Sequence, residues 1–590
     1  MATVSANTAE TSQQVAALPE KTNLALLRII RDNFNTQYAS QAASLAEFRD
    51  AVAAHGGTEV DATLLADFRA HVPLSVYDSY KPFVDKFNAQ PCKEVDVMNM
   101  FSPGFPDFFA LSSATSQVGS DPKMLPRYNH NARLGIPSRP FFYTDNKDPI
   151  AALVCTGYRD VKVVERASGE VVQRIPVCIA SGGLVRRSLG WHIDDESRMS
   201  VAMSGAAAPW AATVIGYVPS FLTIHGLFFL AHRNVCFVRT VFATQFVDLI
   251  RCIDEHWDML VSCIRDGMLP DVQGIDHVRE YLQAGRWYMS AHFHPNPERA
   301  AELLEIGPPF SFEGWFARVW PKADGLVTIC SGPFATVLPK VRSILGPNVS
   351  IRGCGYDSSE GSVGILHHVN KLDEFVLPSD DIVEFLDVSL DATHENLCQA
   401  WEVEVGKHYE PILTTRDGLW RYRLGDVVHI IGVHMESKSP LFKIIGRRSL
   451  TIRVPFTQII ADQLLAAIQD LTSEGTIRVH KFTTVLDDRA LLPAVGFFIE
   501  LAGPLGPSAH AVPRKLFDAL VANHSGLQPA LELGRMRLPT VRIVKTGTFS
   551  EYRQWKGERM NVGFGQIKVP LVLLDPAVRE WISEQVVQEL

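Results

Sequence analysis

The 590-residue chain lacks the patterns that mark metal-binding, disulfide-rich or nucleic-acid-binding proteins. Its nine cysteines lie scattered from Cys92 to Cys398, without a Cys-x-x-Cys pair or a His/Cys cluster. That distribution is typical of reduced, buried thiols in the cytosol and does not predict structural zinc. A net charge of −9 gives no basic surface, so we expect no nucleic-acid partner and no anionic membrane partner.

The chain also lacks a convincing signal for membrane insertion or secretion. Residues 1–20 have neither a basic start nor an apolar core, so we expect a disordered N-terminus and not a signal peptide. No formal charge occurs from Met199 to His232, a stretch long enough to span a bilayer. Proline, glycine and polar residues interrupt it, which favours a buried helix pair in a large core. We therefore expect a cytoplasmic monomer with no membrane partner.

What is present predicts a folded α/β protein of more than one domain. The composition is 46% hydrophobic and 21% charged, and the length exceeds what a single core usually supports. Apolar spacing predicts helices over residues 24–72 and from Phe242 to Ile264, and a strand from Ala151 to Tyr158. Strands Leu326–Ile329 and Val349–Arg352 bracket a predicted helix, the pattern of a β-α-β unit.

One segment, GLWRYRLGDVVHIIG at residues 418–432, is the most informative in the chain. A strand is predicted with Trp420, Tyr422 and Leu424 on one face and two arginines on the other. It ends at Gly425, which places the carboxylate of Asp426 at a strand end, where it can accept hydrogen bonds from the vicinal hydroxyls of a ribose. An ordinary Gly-Asp hairpin turn is the alternative.

A second segment, LSSATSQVGSDPKMLP at residues 111–126, places several hydroxyls before a lysine. A loop that offers hydroxyls and free backbone N–H groups, and that is followed by a lysine ammonium, is suited to bind a polyphosphate. The Gly-Lys-Ser/Thr ending of a Walker loop is missing, and a solvated linker is the alternative. The candidate phosphate-binding residues are Ser112, Ser113, Thr115, Ser116 and Lys123.

A third segment follows a predicted strand and a glycine-rich turn, and reads Tyr-Asp-Ser-Ser-Glu from Tyr356 to Glu360. The ring of Tyr356 can stack on a nucleobase, and Ser358 or Ser359 can contact a phosphate. A lone carboxylate such as Glu360 can hold Mg²⁺, which usually takes one or two protein carboxylates besides phosphates and water. A polar loop with a buried tyrosine is the alternative.

In chain order, the hydroxyl loop, the Tyr-Asp-Ser-Ser-Glu segment and the Tyr-Arg-Leu-Gly-Asp segment resemble the signature of the adenylate-forming enzymes. The rest of the chain narrows the resemblance to the plant acyl-acid–amido synthetases, the auxin-responsive family that conjugates hormone carboxylates to amino acids. FATQFVDLIRCIDEHWDMLVSCIRDG, WPKADGLVTICSGPF and YEPILTTRDGLWRYRLGDVV match that family in order and spacing. The resemblance covers the chain from about residue 20 to its end.

The resemblance implies a firefly-luciferase-like architecture and a ligase chemistry. A large adenylation domain would span residues 21–446, and a small mobile α/β domain residues 447–590. ATP and Mg²⁺ would activate a small carboxylic acid as an acyl-adenylate, and an amine, in the first place an amino acid, would then attack it. Glu360 would bind Mg²⁺ as a catalytic group, Arg447 would reach the ribose or phosphate, and Lys568 would approach the reacting carboxylate.

The chain departs from the family pattern, and this keeps other functions open. Ala114 replaces a glycine in a phosphate loop that is longer than usual, Asp357 stands where a small residue is expected, and Leu571 replaces an arginine. An adenylate-forming acyltransferase with an alcohol or thiol acceptor is one alternative, and a non-catalytic descendant that binds a nucleotide or an acid is another. The regions Met203–Phe242 and Ser331–Phe334 are expected to line the acyl pocket, without fixing the substrate.

Overall fold

The computed structural model describes most of the chain, with several gaps between the described ranges. The described residues are 18–112, 122–133, 148–191, 193, 196–199, 205–283, 293–368, 370–378, 380–447, 451–455, 457–473, 475–560 and 569–590. Five positions named in the sequence analysis lie outside these ranges: Ser113, Ala114, Thr115, Ser116 and Lys568.

Helices occur throughout the described residues and fall into three groups along the chain. The N-terminal group is α1 (Leu18–Asn33), α2 (Gln37–Gln41), α3 (Ala46–Ala54), α4 (Asp61–His71), α5 (Tyr77–Val84) and α6 (Glu94–Val97). The middle group is α7 (His130–Arg133), α8 (Ala180–Leu189), α9 (Glu196–Met199), α10 (Trp210–Thr213), α11 (Val218–Ala231), α12 (Ala243–Glu255), α13 (Trp257–Asp266), α14 (Arg279–Gln283), α15 (Pro297–Ile306), α16 (Trp315–Val319) and α17 (Leu338–Leu345). The C-terminal group is α18 (Ala461–Ser473), α19 (Val512–Asn523), α20 (Gln528–Glu532), α21 (Thr548–Met560) and α22 (Pro576–Ser583).

The strands follow the same division. Those before residue 360 are β1 (Cys92–Lys93), β2 (Phe108–Leu111), β3 (Met124–Arg127), β4 (Ile150–Leu153), β5 (Tyr158–Glu165), β6 (Val171–Ile179), β7 (Phe237–Phe242), β8 (Gly325–Ile329), β9 (Ser350–Gly353) and β10 (Tyr356–Asp357). Next come β11 (Ser362–Leu366), β12 (Phe375–Val376), β13 (Ile382–Asp387), β14 (Leu397–Cys398), β15 (His408–Thr414), β16 (Tyr422–Arg423), β17 (Asp426–Val433) and β18 (Pro440–Arg447). The last are β19 (Thr451–Val454), β20 (Thr457–Ile460), β21 (Val479–Asp487), β22 (Ala494–Leu501), β23 (Thr540–Val544) and β24 (Val586–Glu589).

Within the described residues these strands form four larger sheets and one two-stranded ribbon, β19-β20. The strand orders are β1-β5-β6-β2-β3, β4-β7-β8-β9, β10-β11-β12-β18-β17-β15-β13-β14 with β16 beside β15, and β21-β22-β23-β24. The sheet β4-β7-β8-β9 is parallel throughout, and α17 lies between β8 and β9 in the chain. The predicted β-α-β unit and the predicted α/β class are therefore confirmed.

Two elements predicted as continuous are interrupted in the structure, one helix and one strand. The helix predicted from Phe242 to Ile264 is broken at His256, whose backbone lies outside the helical region at φ −114° and ψ 20°. The apolar stripe is nonetheless buried core on both halves, as at Phe246 and Ile264, each 0% exposed. The strand predicted from Ala151 to Tyr158 ends at Leu153. Beyond it, the backbone N–H of Thr156 donates to the carbonyl of Thr213 at 2.8 Å and not to a neighbouring strand.

The uncharged stretch between residues 199 and 232 contains α10 and α11, and both helices are largely buried. The predicted buried helix pair is thus confirmed. In the part of the chain that the structure describes, no helix is both long and apolar enough to cross a bilayer.

The segment before Asp426 differs most from its prediction. Only Tyr422 and Arg423 form a strand, β16, because Arg421 adopts a left-handed backbone with φ +43°. The side chain of Arg421 is buried and makes two bonds, of 2.8 and 2.9 Å, to the carboxylate of Glu384 on β13. It also donates to the carbonyls of Arg69 and Val72 at 3.0 and 2.7 Å. These four bonds hold a conformation that a non-glycine residue rarely adopts.

Replacing Glu384 by alanine is expected to lower the free energy of unfolding by about 3–5 kcal/mol, because the guanidinium of Arg421 would stay buried without its counter-ion. Urea denaturation at neutral pH measures this change. Asp518→Ala is the control, since it removes an exposed ion pair with Arg514 and should cost far less. Equal losses in the two variants would contradict the role given to the buried pair.

Candidate active site

The predicted phosphate loop connects the two strands of a hairpin. Strands β2 and β3 are antiparallel, and the hairpin closes where Ser112 donates its backbone N–H to the carbonyl of Lys123 at 2.9 Å. The hydroxyl of Ser112 accepts the backbone N–H of Lys123 at 3.0 Å. The described Ser112 therefore shapes the base of the loop and fixes the position of Lys123.

Three predicted segments converge at the side chain of Lys123. Its ammonium donates to the hydroxyl of Tyr422 at 2.9 Å and lies 3.5 Å from Oε1 of Glu360. The Tyr422 hydroxyl in turn donates to the same oxygen of Glu360 at 3.3 Å. Tyr422 and Glu360 are buried, at 0% and 4% exposure, so this contact joins the β2–β3 hairpin to the nine-stranded sheet inside the protein.

The serines of the Tyr-Asp-Ser-Ser-Glu segment stabilise its turn. The hydroxyl of Ser358 accepts the N–H groups of Glu360 and Gly361 at 3.2 Å each, and donates to the carbonyl of Gly361 at 3.1 Å. The hydroxyl of Ser359 donates to Oε2 of Glu360 at 3.0 Å. Both hydroxyls thus orient Glu360.

The predicted ribose carboxylate lies beside the predicted base-stacking ring. Asp426 is the first residue of β17, after Gly425 with φ +79°, and the hydroxyl of Tyr356 donates to its Oδ2. Both residues are more than nine-tenths buried. Arg447, at the end of β18, is the register partner of Asp426 across the β17–β18 pair. The structure thus brings Tyr356 and Asp426 into contact and places the backbone of Arg447 opposite Asp426.

Glu360 is suited to hold a divalent cation together with phosphates. Its carboxylate is a hard anionic ligand, and the Ser359 hydroxyl lies next to it. The two donors at Oε1 stand at 3.3 and 3.5 Å, which is long for hydrogen bonds, so that oxygen can take a stronger ligand. A site with a single carboxylate suits Mg²⁺ that keeps water and phosphate ligands. Among the described residues, no group of three or more His, Cys, Asp or Glu side chains forms a protein-only cage.

A second buried carboxylate, which the sequence did not single out, ties the same elements together. Asp417 accepts the backbone N–H of Tyr128 at 2.8 Å and lies 2.9 Å from Nε2 of His130 and 3.1 Å from Nε of Arg127. The outer nitrogen of Arg127 reaches the carbonyl of Ser359 at 3.5 Å. Burial opposes the charge on Asp417, yet Arg127 and His130 hold the pKa of this carboxyl well below its usual value.

The Asp417 turn is fixed by close packing as well as by charge. Gly418 has φ +90°, and a Cβ at that position would lie 2.0 Å from the carbonyl oxygen of Phe101. The Asp-Gly dipeptide was the one sequence signal for this turn. Its partners on β3 are far away in sequence and could not be inferred from it.

The acyl-pocket regions are described in part. The ring of Phe242, at the end of β7, stacks on that of Phe334 with centroids 4.4 Å apart and an angle of 16°. The hydroxyl of Thr240 donates to that of Thr328 on β8 at 2.9 Å. An aromatic pair at the end of parallel strands is an apolar surface of the kind that a small organic acid can contact.

Comparison with known proteins identifies the family. Residues 13–349 match the GH3 family N-terminal domain, and residues 375–447 match the GH3 family central domain. This chain belongs to the GH3 family. The resemblance inferred from its motifs is therefore confirmed.

Relatives in the GH3 family share about a quarter of the sequence. The chain is 24% identical over 385 residues to the indole-3-acetic acid-amido synthetase GH3.15 of Arabidopsis thaliana, which is 61% of this chain and 62% of that relative. It is 29% identical over 340 residues to the jasmonoyl–L-amino acid synthetase GH3.5 of Oryza sativa subsp. japonica, 53% of this chain and 56% of the relative. The matched segment thus spans less than two thirds of these proteins.

A solved GH3 structure shares the fold along nearly the whole chain. The GH3.15 acyl acid amido synthetase superposes with a TM-score of 0.73 at 20% identity, covering 97% of this chain and 94% of that one. The same protein in complex with 2,4-DB gives a TM-score of 0.72. The predicted architecture is confirmed by this match.

The charge on Asp417 makes a prediction about acid stability. A carboxyl whose pKa is lower in the folded than in the unfolded protein stabilises the fold above its unfolded pKa, here 3.8. That contribution is lost as the pH falls toward the folded value. Between about pH 5 and pH 3 the free energy of unfolding should therefore fall less steeply in Asp417→Asn than in the unaltered protein. Urea denaturation across this range is the measurement, and parallel curves would contradict it.

Proposed function

We propose that this protein is an ATP-dependent ligase that activates a small organic carboxylic acid as an acyl-adenylate and conjugates it to an amine, with amino acids as the first candidates. The observation that carries the proposal is the convergence of Lys123, Glu360 and Tyr422 from three separate motif segments. Membership of the GH3 family and the names of the relatives support the same reaction class.

The chemistry requires positioning more than a protein nucleophile. A carboxylate is unreactive toward amines at neutral pH, so it must first acquire a leaving group. An oxygen of the substrate carboxylate attacks the α-phosphorus of ATP, a new P–O bond forms, and pyrophosphate leaves with the electrons of the broken bond. Lys123 offers positive charge to the departing phosphates, while Ser112, Ser113, Thr115 and Ser116 shape or contribute donors to the loop that holds them.

The nucleotide would be held at the far end of the same site. Asp426 would accept the ribose hydroxyls, with its carboxylate oriented by Tyr356 and with Arg447 across the strand pair. The ring of Tyr356 would pack on the adenine. Ser358 and Ser359 would act by holding the turn that carries Glu360.

Glu360, with the neighbouring Ser359 hydroxyl, would hold Mg²⁺ in this proposal. The ion would neutralise the crowded phosphate oxygens when bound. The buried position of Glu360 keeps its carboxylate away from bulk water, so its negative charge would attract a bound cation with little screening.

In the second step the amine nitrogen would attack the acyl carbon, a C–N bond would form and AMP would leave with the electrons of the C–O bond. Lys568, in residues 447–590, is proposed to approach the reacting carboxylate during activation. A distinct C-terminal domain is supported by a hydrophobic core drawn from residues 452–572 alone. We place the monomeric enzyme in the cytoplasm, where ATP is supplied.

Removing the ribose carboxylate should weaken nucleotide binding without unfolding the protein. Asp426→Ala is expected to raise the Kd of ATP by about 10–100-fold, since it removes charge-assisted hydrogen bonds worth about 1.5–3 kcal/mol. Calorimetry with ATP and with 2′,3′-dideoxy-ATP provides the matched comparison. The unaltered protein should prefer ATP and the variant should not distinguish the two. A preserved preference in Asp426→Ala would place the ribose elsewhere.

The reaction itself is tested by following pyrophosphate and product. The purified protein should exchange labelled pyrophosphate into ATP in the presence of one or more acids from a panel containing indole-3-acetic acid, jasmonic acid and 2,4-DB. With an amino-acid mixture added, mass spectrometry should detect the amide conjugate. Activity should disappear in EDTA and return with Mg²⁺.

Glu360→Gln is the matched variant for this assay, because it keeps the size of the side chain and removes its charge. Turnover should fall by about 100-fold or more while the unfolding curve changes little. An ester or thioester product would overturn the amide assignment in favour of another acceptor. No exchange with any acid of a broad panel would favour a protein that binds nucleotide without catalysis.

A further inference from the structure

A cluster of buried charges lies where the C-terminal sheet meets helix α12, and the site described above does not use it. Asp248 of α12 is only 7% exposed. Its carboxylate accepts the guanidinium of Arg553 on α21 at 2.6 Å and the ammonium of Lys481 on β21 at 3.3 Å. These contacts join residues separated by 305 and 233 positions in the chain.

A second layer of contacts surrounds this ion pair. On α12, Arg251 donates to Nε2 of His480 at 2.8 Å. Burial and the charges of Lys481 and Arg251 lower the pKa of His480 to about 3, so the imidazole is neutral and acts as an acceptor. Glu500 of β22 accepts the N–H groups of Gly547 and Phe549 at 3.1 Å each, which fixes the start of α21 beside the cluster.

The charges in the cluster are removed from water. Burial alone would raise the pKa of Asp248, yet the charges of Arg553 and Lys481 hold it well below its usual value. Burial and the charge of Arg553 lower the pKa of Lys481 to about 8, against the attraction of Asp248. Buried ion pairs of this kind contribute little net stability compared with apolar packing, but removing one partner is costly. These ion pairs therefore fix the positions of α21 and β21 relative to α12.

Helix α12 links this cluster to the expected acyl pocket. It begins directly after Phe242, whose ring stacks on Phe334. Gln245 in its first turn accepts the backbone N–H groups of Val241 and Phe242 at 3.1 and 3.2 Å. One helix, α12, therefore carries Asp248 and also holds the backbone of Phe242, one member of the aromatic pair.

We propose that Asp248 is a positioning residue that anchors the C-terminal sheet and α21 to α12, and so holds the C-terminal part of the chain in the arrangement needed for adenylation. The role in adenylation rests on the proposed function, whereas the anchoring stands on the contacts of Asp248 alone. Arg553 is the principal partner and Lys481 the secondary one, in keeping with their distances.

The experiment compares full-length variants by hydrogen–deuterium exchange and by pyrophosphate exchange with indole-3-acetic acid or whichever acid of the panel supports it. In Asp248→Asn, peptides covering α21 and β21 should exchange about tenfold faster or more. The kcat of adenylation should fall by about tenfold or more while KM for ATP and acid stays within about threefold. Asp248→Glu should restore most of both. Asp488→Asn, which removes an exposed pair with Arg579 on the same part of the chain, should leave both unchanged.

A double variant tests whether Asp248 acts through Arg553. Asp248→Asn with Arg553→Met should be no more impaired than Asp248→Asn alone, since both changes break one interaction. If Asp248→Asn fails to fold, Lys481→Met, which keeps the Arg553 contact, should show faster exchange confined to the same peptides.

The two claims fail in different ways. Unchanged protection of α21 and β21 in both Asp248→Asn and Lys481→Met would overturn the anchor. Lost protection with an unaltered kcat would overturn its role in adenylation. If the unaltered protein activates no acid, the proposed function fails, and the hydrogen-exchange result still decides whether Asp248 anchors the C-terminal part.

Discussion

The site depends on one contact between two sheets, in which Lys123 and Tyr422 meet at the carboxylate of Glu360. Lys123 directly precedes β3 of the β2–β3 hairpin, Tyr422 lies on β16 of the nine-stranded sheet, and Glu360 lies in the turn between β10 and β11 of that sheet. Because all three side chains are largely shielded from water, small shifts of either sheet would leave a charge without its partner. The Asp417 turn adds a second contact to the β2–β3 hairpin, through Arg127 of β3 and the adjacent Tyr128.

Part of the candidate site could be predicted from the sequence, because each residue expected to carry chemistry lies within a short motif. Lys123, Glu360 and Asp426 were singled out from short motifs, the uncharged stretch from Met199 to His232 predicted the buried pair that contains α11, and apolar spacing predicted the α12–α13 region as one helix. The sequence did not predict the residues that contact these side chains from distant parts of the chain. Asp417 pairs with Arg127 and accepts the backbone N–H of Tyr128, which lies 289 positions away in the chain, and local patterns carry no information about such contacts. The strand predicted around Arg421 was wrong because a buried ion pair overrides the local alternation of polar and apolar residues.

Buried charges recur in this protein as connectors between distant elements. Arg421 pairs with Glu384 of β13, Asp417 pairs with Arg127 of β3, and Asp248 pairs with Arg553 of α21 and Lys481 of β21. Apolar side chains of similar volume would stabilise such positions at least as well. Buried charged groups differ from apolar side chains because they require one geometry: a buried donor or acceptor that is misaligned with its partner costs free energy. The proposed reaction, which needs phosphates and two substrates to be placed together, would benefit from such constraints more than from added stability.

The serines show why residue type alone does not assign a role. Ser112 closes the hairpin, Ser358 closes a turn, and Ser359 bonds the neighbouring Glu360. The same small hydroxyl suits a turn and a phosphate site, because both present backbone N–H groups in a tight loop. In the described structure these three hydroxyls therefore fix the backbone next to Lys123 and the position of Glu360, and a contact with phosphate stays a prediction.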